Sequence, residues 1–234
     1  MPGSTDRRTS GWREYAVMVL WVLPVLAALV CYRWIGHHAE AVGTAWMVRL
    51  PLDDQIPFVS AFVYAYVFWY LYSYGAILLL MLRPGGGHVF RHYVLSMFLV
   101  LLVALVVFVI FPTTVLRPDV PGDSLAAKIV RQIYQVDPPY NCLPSIHVAF
   151  STLTLLELDR LLRSKKGQPH PVARGVGRVA NLIAASLICL STLFIKQHYS
   201  PDLFAGIAVA LTAGYGAQSI LMAGARFRDR KRAA

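Results

Sequence analysis

The sequence predicts an all-α, polytopic membrane protein with six transmembrane helices, and three observations carry that reading. Of 234 residues, 57% are hydrophobic and only 15% charged, against about 25% charged in soluble domains. Mean hydropathy is +0.54. The apolar residues gather into runs close to the roughly 20 residues that one helical crossing requires. Nearly every long run is needed for a crossing, so the chain is expected to form a single membrane domain over 1–234, with its core at 58–223 and short cytoplasmic tails at 1–14 and 224–234.

The six runs are placed at 15–34, 58–82, 93–111, 144–162, 178–196 and 201–223. Pro24 is expected to kink the first. Arg7-Arg8 lacks the apolar pair of a twin-arginine export signal, and Val30 stands where a lipoprotein signal before Cys31 needs a small residue. The first run therefore reads as an uncleaved span. In the fourth, Glu157 and Asp159 fall in the last turns, where headgroups are within reach, and are expected to face them. In the sixth, Gly206, Ala210 and Gly214 form a small-residue stripe suited to helix packing. Between the third and fourth runs, Gly122 to Gln135 has the period of an amphipathic surface helix, with Leu125, Ile129 and Ile133 on one face and Asp123 as its cap.

Charge sets the orientation. An even number of spans puts both termini on one side, and the loops and tails of that side carry sixteen Lys or Arg against six opposite. The positive-inside rule makes that side cytoplasmic. The net charge of +10 is accounted for by these loops, with no nucleic-acid module between them, so no nucleic-acid partner is expected. Cys31, Cys142 and Cys189 are too widely spaced for a disulfide framework or a paired metal motif. His37, His38, His88 and His92 read as interfacial residues.

This topology brings NCLPSIHVAF (141–150), KQHYSPD (196–202) and the 111–143 loop to the non-cytoplasmic side. Pro144 and Pro201 suit first helical turns, so two helix N-termini should point unpaired N–H groups at one region, an arrangement that favours phosphate. Ser145 adds a hydroxyl and an N–H, and Arg117 a planar fork matched to phosphate oxygens. His198 lies four residues before Asp202, whose carboxylate can fix the imidazole tautomer if the turn folds back. An oriented His198 is a competent nucleophile toward phosphorus, with His147 donating a proton to the leaving oxygen. Zinc at His147, His198 and Asp202 is disfavoured by the neighbouring cations Arg117 and Lys196; no metal and no cofactor are expected.

Arg117-Pro118, then Pro144-Ser145-Ile146-His147, then His198-x-x-x-Asp202, on six spans, resemble the type 2 phosphatidic acid phosphatase superfamily of membrane lipid phosphatases, which shares its core with vanadium haloperoxidases. The wording around His147 and His198 is similar to a branch that includes bacterial phosphatases and inositol phosphorylceramide synthases. The resemblance implies that His198 forms a phosphohistidine, Asp202 orients it, His147 is the acid, and Arg117 and Ser145 hold the phosphate. The pattern departs at two positions: Ile110 stands where the family has a lysine, and Thr192 where it has an arginine. If the fifth helix runs to its end, Lys196 shares a face with Thr192 about 6 Å further along the axis, and is expected to supply a replacement cation.

The expected function is hydrolysis of a lipid phosphate or pyrophosphate, an isoprenoid pyrophosphate being one candidate, at a multi-pass cell-membrane site facing outward among membrane lipids. The alternatives are a lipid phosphotransferase that moves a phospho-headgroup to an alcohol acceptor, and a non-catalytic lipid-binding or transport protein.

Overall fold

A computed structural model describes residues 5–83, 86–163 and 170–233. Its helices are α1 (Thr5–Val42), α2 (Pro51–Gln55), a single 3₁₀ turn (Ser60–Phe62), α3 (Val63–Leu82), α4 (Gly87–Ile110), α5 (Leu125–Val136), α6 (Ile146–Arg163), α7 (Pro171–Phe194) and α8 (Ser200–Ala233). The described residues contain no β-strand, only two isolated bridges that pin Trp46 to Thr113 and Thr114 to Tyr140.

Five stretches are long and apolar enough to cross a membrane: Tyr15–Val42, Ser60–Leu82, Gly87–Ile110, Pro171–Phe194 and Ser200–Lys231. The fourth expected crossing is not among them. Its helix, α6, has 18 residues, about 27 Å of rise, and carries Glu157, Asp159, Arg160 and Arg163 in its last turns. It packs on α4, α7 and α8 and buries Ile146, Val148, Ala149, Phe150, Leu153 and Thr154. A helix surrounded by protein needs less apolar surface than one that faces lipid.

The small-residue stripe of α8 supplies part of that contact. A Cβ on Gly206 would stand 2.7 Å from the Ser145 carbonyl oxygen and 3.1 Å from Val148 Cβ, so only glycine permits this approach of α8 to the start of α6. Ala210 is fully buried one turn later.

Several polar groups inside the bundle are paired, as a low-dielectric interior favours. Tyr72 donates to Asn181 Oδ1 (2.7 Å), and the Tyr93 hydroxyl lies 2.6 Å from Thr154 Oγ1 and donates to the Ser73 carbonyl (3.0 Å). Two sequence expectations are corrected here. Glu157 does not face headgroups: it is buried, within 2.6 Å of His92 Nδ1, and accepts from Arg160 (2.8 Å). His92 is likewise buried rather than interfacial, with Nε2 3.0 Å from the Gly214 carbonyl oxygen. Asp159 stays near the surface, held by Arg163 (2.5 Å) and Arg178 (2.6 Å). Both acids were expected at the headgroups because they fall in the last turns, but residues 157 and 159 lie about 200° apart around a helix and so meet different surroundings.

The amphipathic helix also differs in detail. It starts at Leu125 with Ser124, not Asp123, as the cap, the Ser124 Oγ accepting from the Ala127 amide (3.2 Å). Its buried residues are Ala126, Ala127 and Val130, with Ile129 and Ile133 packed beside them, while Leu125 is exposed. The inward face meets Val63 and Tyr66 of α3 and Ile195 after α7, so α5 is docked on the bundle end and brings its C-terminal carbonyls to the candidate site.

Candidate active site

The end of α7 decides the position of His198. The amides of Lys196 and Gln197 bond back to the carbonyls of Leu193 (3.1 Å) and Thr192 (2.9 Å), and Lys196 has φ 52°. This is a Schellman termination with a left-handed residue just past the helix, filled here by lysine in place of the usual glycine. The helix therefore does not run through Lys196, and the expected shared face with Thr192 does not exist. The Lys196 ammonium instead donates to the carbonyls of Asp53 (3.3 Å) and Ile56. The His198 amide also bonds to the Thr192 carbonyl (3.1 Å), so Thr192 anchors the turn through its backbone. Ile110, at the other departure from the family pattern, is 73% exposed on the outside of α4, pointing away from the bundle.

Past this turn, α8 begins with Pro201 in its first turn. Asp202 reaches back to accept from the Tyr199 amide (3.0 Å), the acidic half of a capping box, and the same Oδ2 lies 3.1 Å from His198 Nδ1. Local helix-capping chemistry thus orients the imidazole. With Nδ1–H donated to Asp202, the lone pair sits on Nε2.

A second carboxylate holds this turn from outside. Asp53, buried in α2, accepts from the Ser200 amide (2.7 Å) and the Ser200 hydroxyl (3.0 Å), and from its own Leu50 amide (2.8 Å). Asp53 and Lys196 together clamp the α2 segment to the turn that carries His198.

Ser145 is the N-cap of α6: its Oγ accepts from the Val148 amide (3.3 Å). Its own amide donates to the Asp202 carbonyl (3.1 Å). The expectation that this N–H is free for a ligand is therefore corrected, because it ties the starts of α6 and α8 together; the hydroxyl proton remains available. Pro144 stands one residue ahead of the cap, outside the first turn. Two residues past the cap, His147 lies between the rings of Tyr66 and Trp69, at centroid distances of 4.4 and 4.2 Å, and 6.2 Å from the His198 ring. Its Nε2 is buried without a hydrogen-bond partner among the described residues.

Arg117 enters from the loop after α4. It donates from Nη1 to the Tyr134 (3.2 Å) and Asp137 (2.7 Å) carbonyls and from Nη2 to Gln197 Oε1 (2.6 Å), with its guanidinium 4.6 Å from the centre of the Tyr134 ring. A cation at a helix C-terminus is held favourably, and here α5 does the holding. Arg117 Nε and Gln197 Nε2 are both buried without partners among the described residues. Three buried donors or donor-capable nitrogens around one histidine pair are costly unless an acceptor-rich ligand completes them.

The structure therefore gathers His198, Asp202, His147, Ser145 and Arg117 at one end of the bundle and directs the Lys196 side chain elsewhere. Gln197, Asp53, Tyr66 and Trp69 were missed. Gln197 lies inside the KQHYSPD stretch and was open to notice; the aromatic pair around His147 and the Asp53 clamp depend on packing. Among the described residues, Cys142, His198 and Asp202 form the group with metal-ligand spacing, within 4.8 Å. Burial pushes the Cys142 thiol well above its ordinary range and Asp202 is already bonded twice, which makes a poor donor set.

A cavity of about 230 Å³ opens beside His147, walled by Leu29, Tyr32, Trp69, Tyr70, Tyr74 and Ile146, with Arg33 and Asp137 also in its lining. No curated protein and no solved structure matches the chain. A family model described as the PAP2 superfamily matches residues 29–216, from within α1 to within α8, earlier at its start than the core expected at 58. That span covers most of the chain and every residue of the site: the chain belongs to the PAP2, or type 2 phosphatidic acid phosphatase, superfamily, whose chemistry is of the phosphatase or phosphotransferase type.

Proposed function

We propose that this protein hydrolyses a lipid phosphate or pyrophosphate through a phosphohistidine on His198. The observation that carries the reading is the pairing of an oriented nucleophile with unsatisfied donors: His198 held by Asp202 at 3.1 Å, beside the partnerless nitrogens of Arg117, Gln197 and His147. A tetrahedral phosphoryl group offers the acceptors they lack. The apolar, aromatic wall of the adjoining cavity suits the chain of a lipid.

In the first step Nε2 of His198 bonds to phosphorus, the P–O bond to the leaving group breaks, and His147 gives that oxygen its proton. In the second, water attacks phosphorus, its proton passes to the now neutral His147, and the P–N electron pair returns to His198. Arg117 and Gln197 donate to the oxygens on which charge develops. The loop charges support cytoplasmic termini and a site on the non-cytoplasmic face of the cell membrane. Phosphotransfer is the second reading, in which an alcohol replaces water; the carboxylate of Asp137 on the cavity wall favours it.

The test is a single-turnover reaction with a lipid phosphate labelled on phosphorus, quenched in denaturant. The expected result is acid-labile, alkali-stable label on the protein that disappears in His198→Ala. Phosphate release without label on the wild-type chain would reject the covalent route, and no release from any lipid would leave the non-catalytic reading.

A further inference from the structure

We propose that Asp137 and Tyr32 form a hydroxyl-binding subsite beside the phosphate site, specific for an alcohol group carried on the substrate's headgroup or on a separate acceptor. This rests on the reading of His198 and its neighbours as the phosphate site.

A carboxylate beside a phosphate needs a reason, because the two repel. The Asp137 backbone is fixed on both sides: its amide bonds to the Ile133 carbonyl (2.9 Å) and its carbonyl receives Arg117 Nη1 (2.7 Å). The side chain is turned toward α1, where the Tyr32 hydroxyl donates to Oδ1 (3.3 Å). Oδ2 has no hydrogen-bond partner among the described residues. Asp137 lines the same cavity as His147, so a residue with an unused acceptor forms part of the wall of the chamber beside the phosphate site. Burial pushes this carboxyl above its ordinary range, Arg117 opposing.

An ionised carboxylate accepts and does not donate, so its ligand must bring a donor. An ammonium group would arrive next to Arg33, which lines the cavity with Asp137, and near the Arg117 guanidinium bonded to the Asp137 carbonyl. A hydroxyl brings a donor without a like charge. It also suits Tyr32, whose oxygen can accept a hydrogen bond while its own O–H continues to donate to Asp137 Oδ1. A site built to bond a hydroxyl discriminates strongly against the analogue lacking one, since the buried acceptor is then left unpaired.

The experiment uses the full chain in lipid nanodiscs. One arm compares phosphate release from lysophosphatidic acid, whose sn-2 carbon bears a free hydroxyl, with release from the 2-deoxy analogue of the same acyl chain. The other supplies the deoxy lipid with and without glycerol and measures glycerol phosphate. A headgroup source predicts about a tenfold or larger preference in kcat/KM for the hydroxylated lipid; an acceptor source predicts glycerol phosphate as a product. In either case Asp137→Ala should reduce the effect to within about twofold, and Asp137→Asn, which keeps an acceptor oxygen, should restore part of it. Tyr32→Phe leaves the backbone bonds of Asp137 in place and should lower the same ratio, so a poorly folding Asp137 variant does not protect the idea. Wild-type indifference in both arms, or an unchanged ratio in the variants while phosphate is still released, would overturn the subsite alone. Absence of phosphate release from every lipid would overturn the phosphatase reading and this inference with it.

Discussion

Two buried histidine–carboxylate pairs stand at opposite ends of α6, about 16 Å apart along its axis by residue count. His198 and Asp202 meet near the start of the helix; His92 and Glu157 meet near its end. Burial does not separate them, since the side chains are 8% and 2% exposed in the first pair and 7% and 4% in the second. Their surroundings do. Around His92 the shell is closed: one ring nitrogen faces the Gly214 carbonyl, the other lies against Glu157 as an ion-pair contact off the hydrogen-bond axis, and Arg160 covers the same carboxylate oxygen. Around His198 the shell is open, with no partner for Nε2 among the described residues, a second histidine that lines a cavity, and unpartnered donors on Arg117 and Gln197. A buried pair enclosed by a carbonyl, a carboxylate and a covering arginine is a brace between helices, and one that faces a second histidine and unpartnered donors is a candidate for chemistry.

The largest effect that would test this contrast comes from removing each histidine in turn. His198→Ala is expected to lower turnover at least about a thousandfold with the fold intact. His92→Ala is expected to keep kcat/KM within about threefold while costing about 3 kcal/mol of stability, the lower end for breaking a buried pair because Arg160 still covers Glu157. Thermal unfolding and initial rates on the same preparations give both readouts. Loss of turnover in well-folded His92→Ala would erase the distinction between brace and site.

A smaller effect is expected at Asp53, which touches no reacting atom and acts by holding Ser200. Asp53→Ala should lower kcat about ten- to a hundredfold with KM changed less than about threefold, as for loss of a group that orients a catalytic residue, and Asp53→Asn should recover part of the loss. Equal changes in kcat and folded fraction would instead make Asp53 a general stabiliser.

The smallest effect is expected at Lys196, whose ammonium bonds two backbone carbonyls. Lys196→Met should reduce kcat/KM about two- to fivefold, the scale of a lost hydrogen bond of about 1 kcal/mol. A hundredfold loss in a folded variant would place the ammonium on the phosphate and restore the role expected from the sequence.

These predictions also mark what could be read from the chain alone. The five apolar crossings follow from hydropathy, and His198–Asp202 follows from helix-capping rules acting over four residues. Both are local. Glu157 was misplaced because an acid in a last turn normally reaches water, and its actual partner His92 lies 65 residues earlier in another helix. The stop at Phe194 was hidden because the left-handed position after α7 holds lysine where glycine would have signalled it. Gln197 meets Arg117 across 80 residues and Ser200 meets Asp53 across 147, and such pairings are set by packing of whole helices, which no periodicity reveals.

The clamp of Asp53 and Lys196 onto the turn before α8 has a practical consequence for anyone mapping this protein's orientation. Residues 43–59 look like a disposable surface link between two crossings, the natural place for an epitope or a protease site. Cutting or lengthening that link between Leu50 and Ile56 would slacken the support beneath the nucleophile, so a reporter inserted there would reveal its own accessibility while silencing the activity meant to accompany it.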